Sequence, residues 1–229
     1  MYKSKIEAWD KVHVQKHLHN IVYETFRLLG DKKDITIIDV GANSGAYVDR
    51  LLSNYTVKKA VLFEPQKDLY DYMVDKYKSR PEIIVENFAL SDAEYNYNLN
   101  EVSLHHHVQH VHEEDPLFNL GLSLVNYSNE PSIHKTKSFD QIRHIYDLDT
   151  IDLIKVDTEG DDFRVLKGFI ETIQLLEIKP LIVFEMNWFM SQSYPEAQDI
   201  FDEFCNRTGY ANTINLYERG DFFLHPPGN

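Results

Sequence analysis

Short apolar runs alternate along the chain with segments whose apolar positions recur at helical spacing. The runs are rich in β-branched residues, which predicts strands buried on both faces, as in parallel sheets. They lie at 35–40, 60–64, 83–88, 151–157 and 180–185. The helical spacing recurs at 12–29, 44–52, 69–77, 139–146, 163–176 and 197–208, with an interruption near Gly168. This alternation predicts right-handed βαβ units and an α/β fold with helices on both faces of the sheet.

The alternation changes in the last part of the chain. Residues 210–224 predict two strands joined at Arg219-Gly220-Asp221, a hairpin pattern. A hairpin strand runs antiparallel to its neighbour, whereas βαβ units produce parallel strands. The predicted fold is therefore a doubly wound, mostly parallel sheet with a C-terminal antiparallel hairpin.

The middle of the chain, from Glu101 to Lys137, interrupts the pattern. This segment is polar, rich in His and Asn, and contains Pro116 and Pro131. Irregular segments of this length inside a compact domain are usually functional or mobile. We interpret residues 1–229 as one domain with an N-terminal helical segment at 1–30 and an insertion at 101–137.

Acidic residues outnumber basic ones, 37 against 23, giving a formal net charge of −14. Nucleic acids and anionic lipid surfaces both demand positive charge, so we expect no nucleic-acid partner. Cys205 is the single cysteine, which excludes an internal disulfide. Because no apolar run approaches the ~18 residues of a membrane span, and no secretory signal begins the chain, we expect a soluble cytoplasmic protein.

Candidate chemistry follows the predicted strands, where doubly wound sheets bind their ligands. Asp39 lies in the first strand, and Gly41 and Gly45 follow it with the spacing G-x-x-x-G. Glycine allows a sharp turn and a close approach to a ligand. The spacing matches neither the G-x-G-x-x-G fingerprint nor a P-loop. Glu64 ends the second predicted strand, about 20 residues on, where an acidic side chain typically accepts both ribose hydroxyls.

Polar groups also follow the remaining strands. Residues 87–92 offer groups for the edge of a base, Asp157 and Glu159 follow the fourth strand, and Glu185 ends the fifth. Together these features suit an adenosine ligand that carries no phosphate. Carboxylates would also favour a sulfonium or an ammonium group.

Each feature alone has a structural alternative. Gly41 and Gly45 could simply make a tight strand–helix junction, and Glu64 could be a solvated strand end. Asp157 and Glu159 could be an N-cap and a first-turn acid that stabilise a helix. Their joint occurrence at the same end of successive strands favours a site.

Five segments resemble the FkbM-type S-adenosylmethionine-dependent O-methyltransferases. They read IDVGANSGAYVDRLL, VLFEPQ, ENFALSDAE, IDLIKVDTEGDDFRVLKG and LIVFEMN, and the resemblance covers residues 35–187. The glycine turn is shared with most class I methyltransferases, whereas the IKVDTEGDD block followed by LKG is more specific. The resemblance implies a seven-stranded Rossmann-like fold, S-adenosylmethionine as cofactor, and methylation of a hydroxyl, often on a sugar or a natural product.

This resemblance gives each cofactor-site residue an expected role. Gly41, Ala42, Asn43 and Gly45 would shape the pocket of the methionine moiety, and Glu64 would take the ribose hydroxyls. Ala89, Leu90 or Asp92 would face adenine. The remaining expected cofactor contacts are Asp39, Pro65 and Asp157.

The acceptor side is open to more than one interpretation. The candidates for the general base are Asp157, Glu159, Glu185 and His106 of the cluster His105–His112. That cluster could be solvated, could belong to a lid over the acceptor formed by 101–137, or could bind a metal. A magnesium ion held by Asp157, Glu159 and Glu185 is a further possibility, although the sequence does not require a divalent metal.

The expected acceptor is a small molecule or glycan, in particular the hydroxyl of a sugar such as a deoxyhexose. The alternatives are another small-molecule hydroxyl, on a lipid or polyketide, and an inactive Rossmann-like binding module. The missing dinucleotide fingerprint disfavours a dehydrogenase. The oligomeric state does not follow from the sequence.

Overall fold

The structure is a computed structural model that describes residues 18–94, 96–98, 133–158, 161–185, 197–210, 213–215 and 221–226. The described strands are β1 (Ile35–Val40), β2 (Val57–Phe63), β3 (Ile83–Glu86), β4 (Asn96–Asn98), β5 (Ile133–Lys135), β6 (Leu153–Val156), β7 (Leu181–Glu185), β8 (Thr213–Asn215) and β9 (Asp221–Leu224). The described helices are α1 (Leu18–Leu29), α2 (Ala46–Leu52), α3 (Lys67–Tyr77), α4 (Phe139–Ile142), α5 (Asp162–Lys167), α6 (Ile170–Leu175) and α7 (Ala197–Thr208), and a 3₁₀ turn (Arg143–Ile145) follows α4. None of these helices has the length and apolar character needed to cross a bilayer.

Seven of the described strands form one sheet in the order β3-β2-β1-β6-β7-β9-β8. Strands β3 to β7 along this order run parallel, while β9 runs antiparallel to both β7 and β8. This confirms the Rossmann-like sheet and its C-terminal hairpin. Because the chain turns from β1 towards β2 on one side and later adds β6 on the other, the order reverses between β1 and β6. Ligands bind at such switch points.

The central strand β1 is buried along its whole length. Side chains alternate between the two faces of a strand. Ile38 and Val40 accordingly belong to one apolar core, and Ile35 and Ile37 to the other. Asp39 is the one charged residue of this strand, and it is fully buried. The apolar run thus fixes the strand, and its one charge needs a partner inside the protein.

The segment predicted as an insertion, 101–137, contains at its C-terminal end a strand that the sequence pattern did not indicate, at residues 133–135. Strand β5 pairs antiparallel with β4, with Asn98 opposite Ile133. The Thr136 hydroxyl then donates to the Ala93 carbonyl at 2.7 Å. Three-residue strands are too short to show a reliable alternation in sequence. The rest of the predicted insertion, with the histidine cluster, lies outside the described residues.

The helix predicted over 163–176 is indeed interrupted near Gly168, between α5 and α6. A Cβ on Gly168 would lie 2.2 Å from the Ser91 carbonyl oxygen, so glycine permits this contact. The helix predicted over 139–146 ends earlier, at Ile142, and continues as the 3₁₀ turn.

An aromatic cluster packs against strand β2 through Phe63. The Phe139 ring stacks on Phe169 with centroids 4.4 Å apart and meets Phe63 edge-on at 6.1 Å. Phe139 is fully buried.

We predict that Phe139→Ala lowers the free energy of unfolding by about 3–5 kcal/mol, since it removes a buried ring and leaves a cavity.

The matched control is Ile145→Ala, because Ile145 is a large apolar residue in the adjacent turn and is 60% exposed. It should change the unfolding free energy by less than about 0.5 kcal/mol in urea titrations. Equal losses in the two variants would contradict this core assignment.

Candidate functional site

The residues that follow β1, β2 and β6 lie side by side at one edge of the sheet. The Gly41 N–H donates to the Phe63 carbonyl at 3.0 Å, and the Asp157 N–H donates to the Val40 carbonyl at 3.0 Å. The ladder therefore continues past the strands and aligns Gly41, Glu64 and Asp157. Three of the residues singled out in the sequence share the crevice at the switch point.

Gly41 is required by the close approach of two strand ends. Its φ is +75°, in the left-handed region, and a Cβ would lie 1.9 Å from the Asp157 carbonyl oxygen. A side chain at this position would push β1 away from β6. Gly41 thus has a structural reason that needs no ligand, although it lies between two strand ends and not at the predicted strand–helix junction, and the same approach shapes the floor of the crevice.

Gly45 contacts helix α3 instead of the crevice. Its φ is +76°, and a Cβ would lie 2.4 Å from the Tyr77 hydroxyl. That hydroxyl donates to the Gly45 carbonyl at 2.9 Å and lies 2.8 Å from Oδ1 of Asp49. Lys76 Nζ donates to the neighbouring Ser44 carbonyl at 2.8 Å. Packing against α3 therefore explains a glycine at position 45, and its contact with a ligand stays a prediction.

Glu64 is a buried carboxylate held by the glycine turn. Its Oε2 accepts from the Asn43 N–H and its Oε1 from the Gln66 N–H, both at 2.8 Å. Burial raises the pKa of Glu64 to about 7, although these two bonds favour the charged form. The alternative of a solvated strand end is wrong, because the residue is only 3% exposed.

The Glu64 carboxylate retains capacity for a ligand. A carboxylate offers about four lone-pair sites, and the two backbone bonds use one on each oxygen. Each oxygen can accept one more hydrogen bond. Two adjacent hydroxyls are a donor pair that matches this geometry.

Asn43 presents a second polar group in the same turn. Its φ is +54°, a conformation that Asn tolerates better than most residues. Its Oδ1 is buried and has no hydrogen-bond partner within the described part of the chain. A buried acceptor without a donor is costly. A ligand N–H or O–H in the crevice would satisfy it.

Lys155 is a buried cation that the sequence analysis did not assign to the site. Its Nζ lies 3.3 Å from Oδ1 of Asp39 and 3.4 Å from Oδ2 of Asp157, and it donates to the Gly41 carbonyl at 3.2 Å. Burial alone would lower the pKa of Lys155, but the two carboxylates raise it above its usual value. Lys155 is therefore charged.

The Asp39 carboxylate depends on this cation. Burial raises the pKa of Asp39, while the charge of Lys155 opposes the shift. Neither Asp39 oxygen makes an aligned hydrogen bond to a described residue, so the contact is an ion pair. A lysine within a buried apolar strand was the signal for this pair in the sequence. Strand register places that residue, Lys155, opposite Asp39.

The predicted adenine contacts follow β3. The Asn87 side-chain amide donates to the Glu64 and Pro65 carbonyls at 3.0 Å each, which fixes the turn after β2. Leu90 is 1% exposed and packs in the core, whereas Ala89 and Asp92 are partly exposed. The positions of Ala89 and Asp92 suit a ligand contact better than Leu90, and all three roles remain predictions.

Asp161, which follows β6, is a further acidic residue beside the segment after β3, and the sequence did not assign it a role. Burial raises its pKa to about 6, while a hydrogen bond from Ser91 and the charge of Arg164 oppose the shift. Asp92 adds repulsion that raises the pKa further. Asp92 and Asp161 are far apart in the sequence, so their proximity is evident only in the fold, where the segments after β3 and β6 come together.

The segment after β6 corrects the capping alternative for Asp157. Helix α5 begins at Asp162, with Asp161 as its N-cap residue. The Thr158 hydroxyl donates to Oδ2 of Asp162 at 2.9 Å, which closes the turn before the helix. Asp157 precedes this turn, and its side chain is 40% exposed. It is therefore free of the capping role and accessible from the crevice.

The other predicted catalytic residues are not located. Glu159 and His106 lie outside the described residues, as does the side chain of Glu185, whose backbone ends β7 opposite Asp221. Within the described ranges, no group of three or more His, Cys, Asp and Glu side chains could hold a metal ion. The magnesium set of Asp157, Glu159 and Glu185 therefore remains untested.

Comparison with protein families decides what kind of domain carries this site. The Methyltransferase FkbM domain matches residues 39–211, a range that begins at Asp39 and includes the whole described crevice. The chain belongs to this family. No curated protein matches the sequence.

Solved structures show the same fold at low identity. The FkbM methyltransferase of Methylobacillus flagellatus is 13% identical with a TM-score of 0.55, over 86% of this chain and 45% of that one. A candidate caffeoyl-CoA O-methyltransferase of Staphylococcus aureus is 11% identical with a TM-score of 0.52, over 96% and 91% of the chains. The chain covers less than half of the Methylobacillus FkbM protein.

Substitution of Gly41 tests the backbone approach beneath this FkbM-family site. Gly41→Ala combines left-handed strain with a clash against backbone, whereas Gly30→Ala introduces strain alone, because nothing lies within 4 Å of a Cβ there. We expect Gly30→Ala to cost about 1–2 kcal/mol of unfolding free energy. Gly41→Ala should cost clearly more, as measured by urea denaturation. Equal costs would show that the two strand ends do not meet as described.

Proposed function

We propose that this FkbM-family protein is an S-adenosylmethionine-dependent O-methyltransferase that acts on a hydroxyl of a sugar or glycan. The observation that carries the proposal is the buried Glu64 carboxylate, which the glycine turn holds through the Asn43 N–H at 2.8 Å. This carboxylate lies at the switch point of the sheet, where the cofactor of a Rossmann-like enzyme binds.

The crevice residues fit the cofactor. Glu64 has acceptor capacity for the two ribose hydroxyls, and the unpartnered Oδ1 of Asn43 awaits a donor. Gly41 leaves the turn free of a side chain. When bound, S-adenosylmethionine supplies a methyl group that its sulfonium has already activated for displacement.

The charges of the crevice favour a cationic ligand. Asp39, Glu64 and Asp157 are acidic, while Lys155 is basic and carries its charge at neutral pH. The balance of these four groups is negative when all are ionised. A sulfonium and an ammonium are attracted to such a site, whereas a pyrophosphate is repelled.

Asp157 is the described residue best placed to serve the acceptor. Its side chain is 40% exposed, and it directly follows β6, the strand that pairs with β1 at the switch point. An alcohol is a weak nucleophile until its proton leaves. We assign Asp157 the role of accepting that proton as the new carbon–oxygen bond forms.

The sugar or glycan acceptor rests on the family resemblance and on charge. The net charge of −14 suits a neutral acceptor better than a polyanion. Lipid and polyketide hydroxyls are the alternatives within the same chemistry.

Cofactor binding should depend on the ionisation of Glu64. Its pKa near 7 leaves the carboxyl largely protonated at pH 6 and ionised at pH 8. In the free protein, the stabilisation from this group is complete below pH ~4.5 and is lost as pH rises through 7. Ribose donors require the ionised form, so the affinity for S-adenosylmethionine should rise about tenfold from pH 6 to pH 8.

Isothermal titration calorimetry of the wild type and Glu64→Gln over this range measures the effect. The cofactor's own amino group titrates near pH 8 and contributes equally in both proteins. Glu64→Gln should bind more weakly, and its affinity should lack the extra rise seen in the wild type. Parallel pH profiles would remove Glu64 from the cofactor site.

A transfer assay tests the acceptor. S-adenosylmethionine should first raise the melting temperature, since a ligand that binds the folded state stabilises it. Tritiated methyl transfer to a panel of monosaccharide glycosides should then give product, and Asp157→Asn should slow it by on the order of 10²-fold. Repeating the transfer assay in the presence of EDTA shows whether a divalent metal contributes to turnover.

Each outcome of this assay is informative. Transfer to lipid or polyketide hydroxyls but not to glycosides would replace the acceptor class. An unchanged melting temperature would indicate an inactive binding module.

A further inference from the structure

The Lys155 side chain contacts the glycine turn, residues 41–45, at its first residue. Its ammonium donates to the Gly41 carbonyl at 3.2 Å and lies 3.3 Å from Asp39 Oδ1 and 3.4 Å from Asp157 Oδ2. The ammonium thus makes one aligned hydrogen bond, to the carbonyl, and two ion-pair contacts, to the carboxylates. One buried group thus connects β1, the turn after it, and the residue after β6.

We propose that Lys155 is a positioning residue that holds the Gly41 carbonyl and the Asp157 carboxylate in place, so that the crevice is formed before the cofactor arrives. This proposal rests on the function proposed above. Binding to a preformed site avoids the cost of ordering the turn.

Neutralising Asp39 does not by itself explain Lys155. A buried ion pair contributes little net stability, and an apolar pair of similar volume would serve the core as well or better. The bond to the Gly41 carbonyl is a separate contact, and it acts on a residue at φ +75°. Lys155 therefore restrains the backbone where the turn begins.

The lysine is itself held from the helix side. Its Nζ lies 5.8 Å from the centroid of the Tyr47 ring, within the range of a cation–π contact. The Tyr47 hydroxyl lies 2.8 Å from the Thr25 hydroxyl of α1, which donates to the Ile21 carbonyl at 2.8 Å. Tyr47 is consequently the donor to Thr25, and this chain of bonds limits movement of the ring beside the ammonium.

The rest of the turn is restrained by other elements. Glu64 accepts from the Asn43 N–H, and Tyr77 of α3 donates to the Gly45 carbonyl. Removal of Lys155 should therefore loosen the beginning of the turn without unfolding the helices around it.

The first measurement uses the free protein and needs no ligand. Hydrogen exchange, read by mass spectrometry on peptides covering 41–45, reports on the amides of Gly41, Ala42, Asn43 and Gly45, which are all hydrogen-bonded. We expect Lys155→Met to accelerate exchange of these amides. The matched control is Asp39→Asn, which removes the same ion pair but keeps the bond from Lys155 to Gly41, so its turn should exchange as in the wild type.

The second measurement is the affinity for S-adenosylmethionine and for S-adenosylhomocysteine, its thioether product. Because the turn would serve both compounds alike, Lys155→Met should weaken both by about tenfold or more, the effect of losing a charged hydrogen bond. Tighter binding of the sulfonium compound, with no change for the thioether, would show that Lys155 acts only through its charge and would overturn the proposal.

Further outcomes separate the possible failures. Equal acceleration of exchange in Asp39→Asn and Lys155→Met, or none in Lys155→Met, would overturn the positioning role. If Lys155→Met does not fold, the double variant Asp39→Asn/Lys155→Met leaves no buried unpaired charge, since Asp157 is 40% exposed, and should still show the faster exchange; exchange at the wild-type rate would overturn the role. A wild type that binds neither compound would contradict the proposed function, while the exchange result would still decide the role of Lys155 in the turn.

Discussion

The close approach of β1 and β6 at their carboxyl ends is the constraint on which the crevice depends. A Cβ at Gly41 would lie 1.9 Å from the Asp157 carbonyl oxygen, so the two backbones meet only because residue 41 has no side chain. This approach occurs where the order of the sheet reverses. Glu64 on one side and Asp157 on the other are thereby brought to the same crevice edge.

Buried charge accompanies this approach. Asp39, Lys155 and Glu64 all lie within the protein, where each ionised group must be compensated. Lys155 compensates Asp39, and two backbone N–H groups compensate Glu64. Glu64 can accept further hydrogen bonds, and Oδ1 of Asn43 has no donor within the described residues. A bound nucleoside would supply donors to both. The site thus retains polar capacity that the fold alone does not use.

Much of the sheet could be predicted from sequence because buried parallel strands are continuous apolar runs, as in Ile35–Val40. Acidic residues at the ends of such runs also indicated that Glu64 and Asp157 would lie at the same end of the sheet, on either side of β1. The short strand Ile133–Lys135 escaped prediction, because three residues carry no periodicity and its partner is distant in the chain. The role of Lys155 escaped for a related reason: its position opposite Asp39 depends on strand register, which arises from tertiary pairing.

The nucleoside of S-adenosylmethionine is proposed to bind over the turn at Gly41, with its ribose held by Glu64. A crystal structure of the protein with S-adenosylhomocysteine tests this claim directly. We predict that both ribose hydroxyls lie within hydrogen-bond distance of the Glu64 carboxylate, above the turn at Gly41. A nucleoside bound elsewhere, or one whose ribose makes no contact with Glu64, would contradict the account.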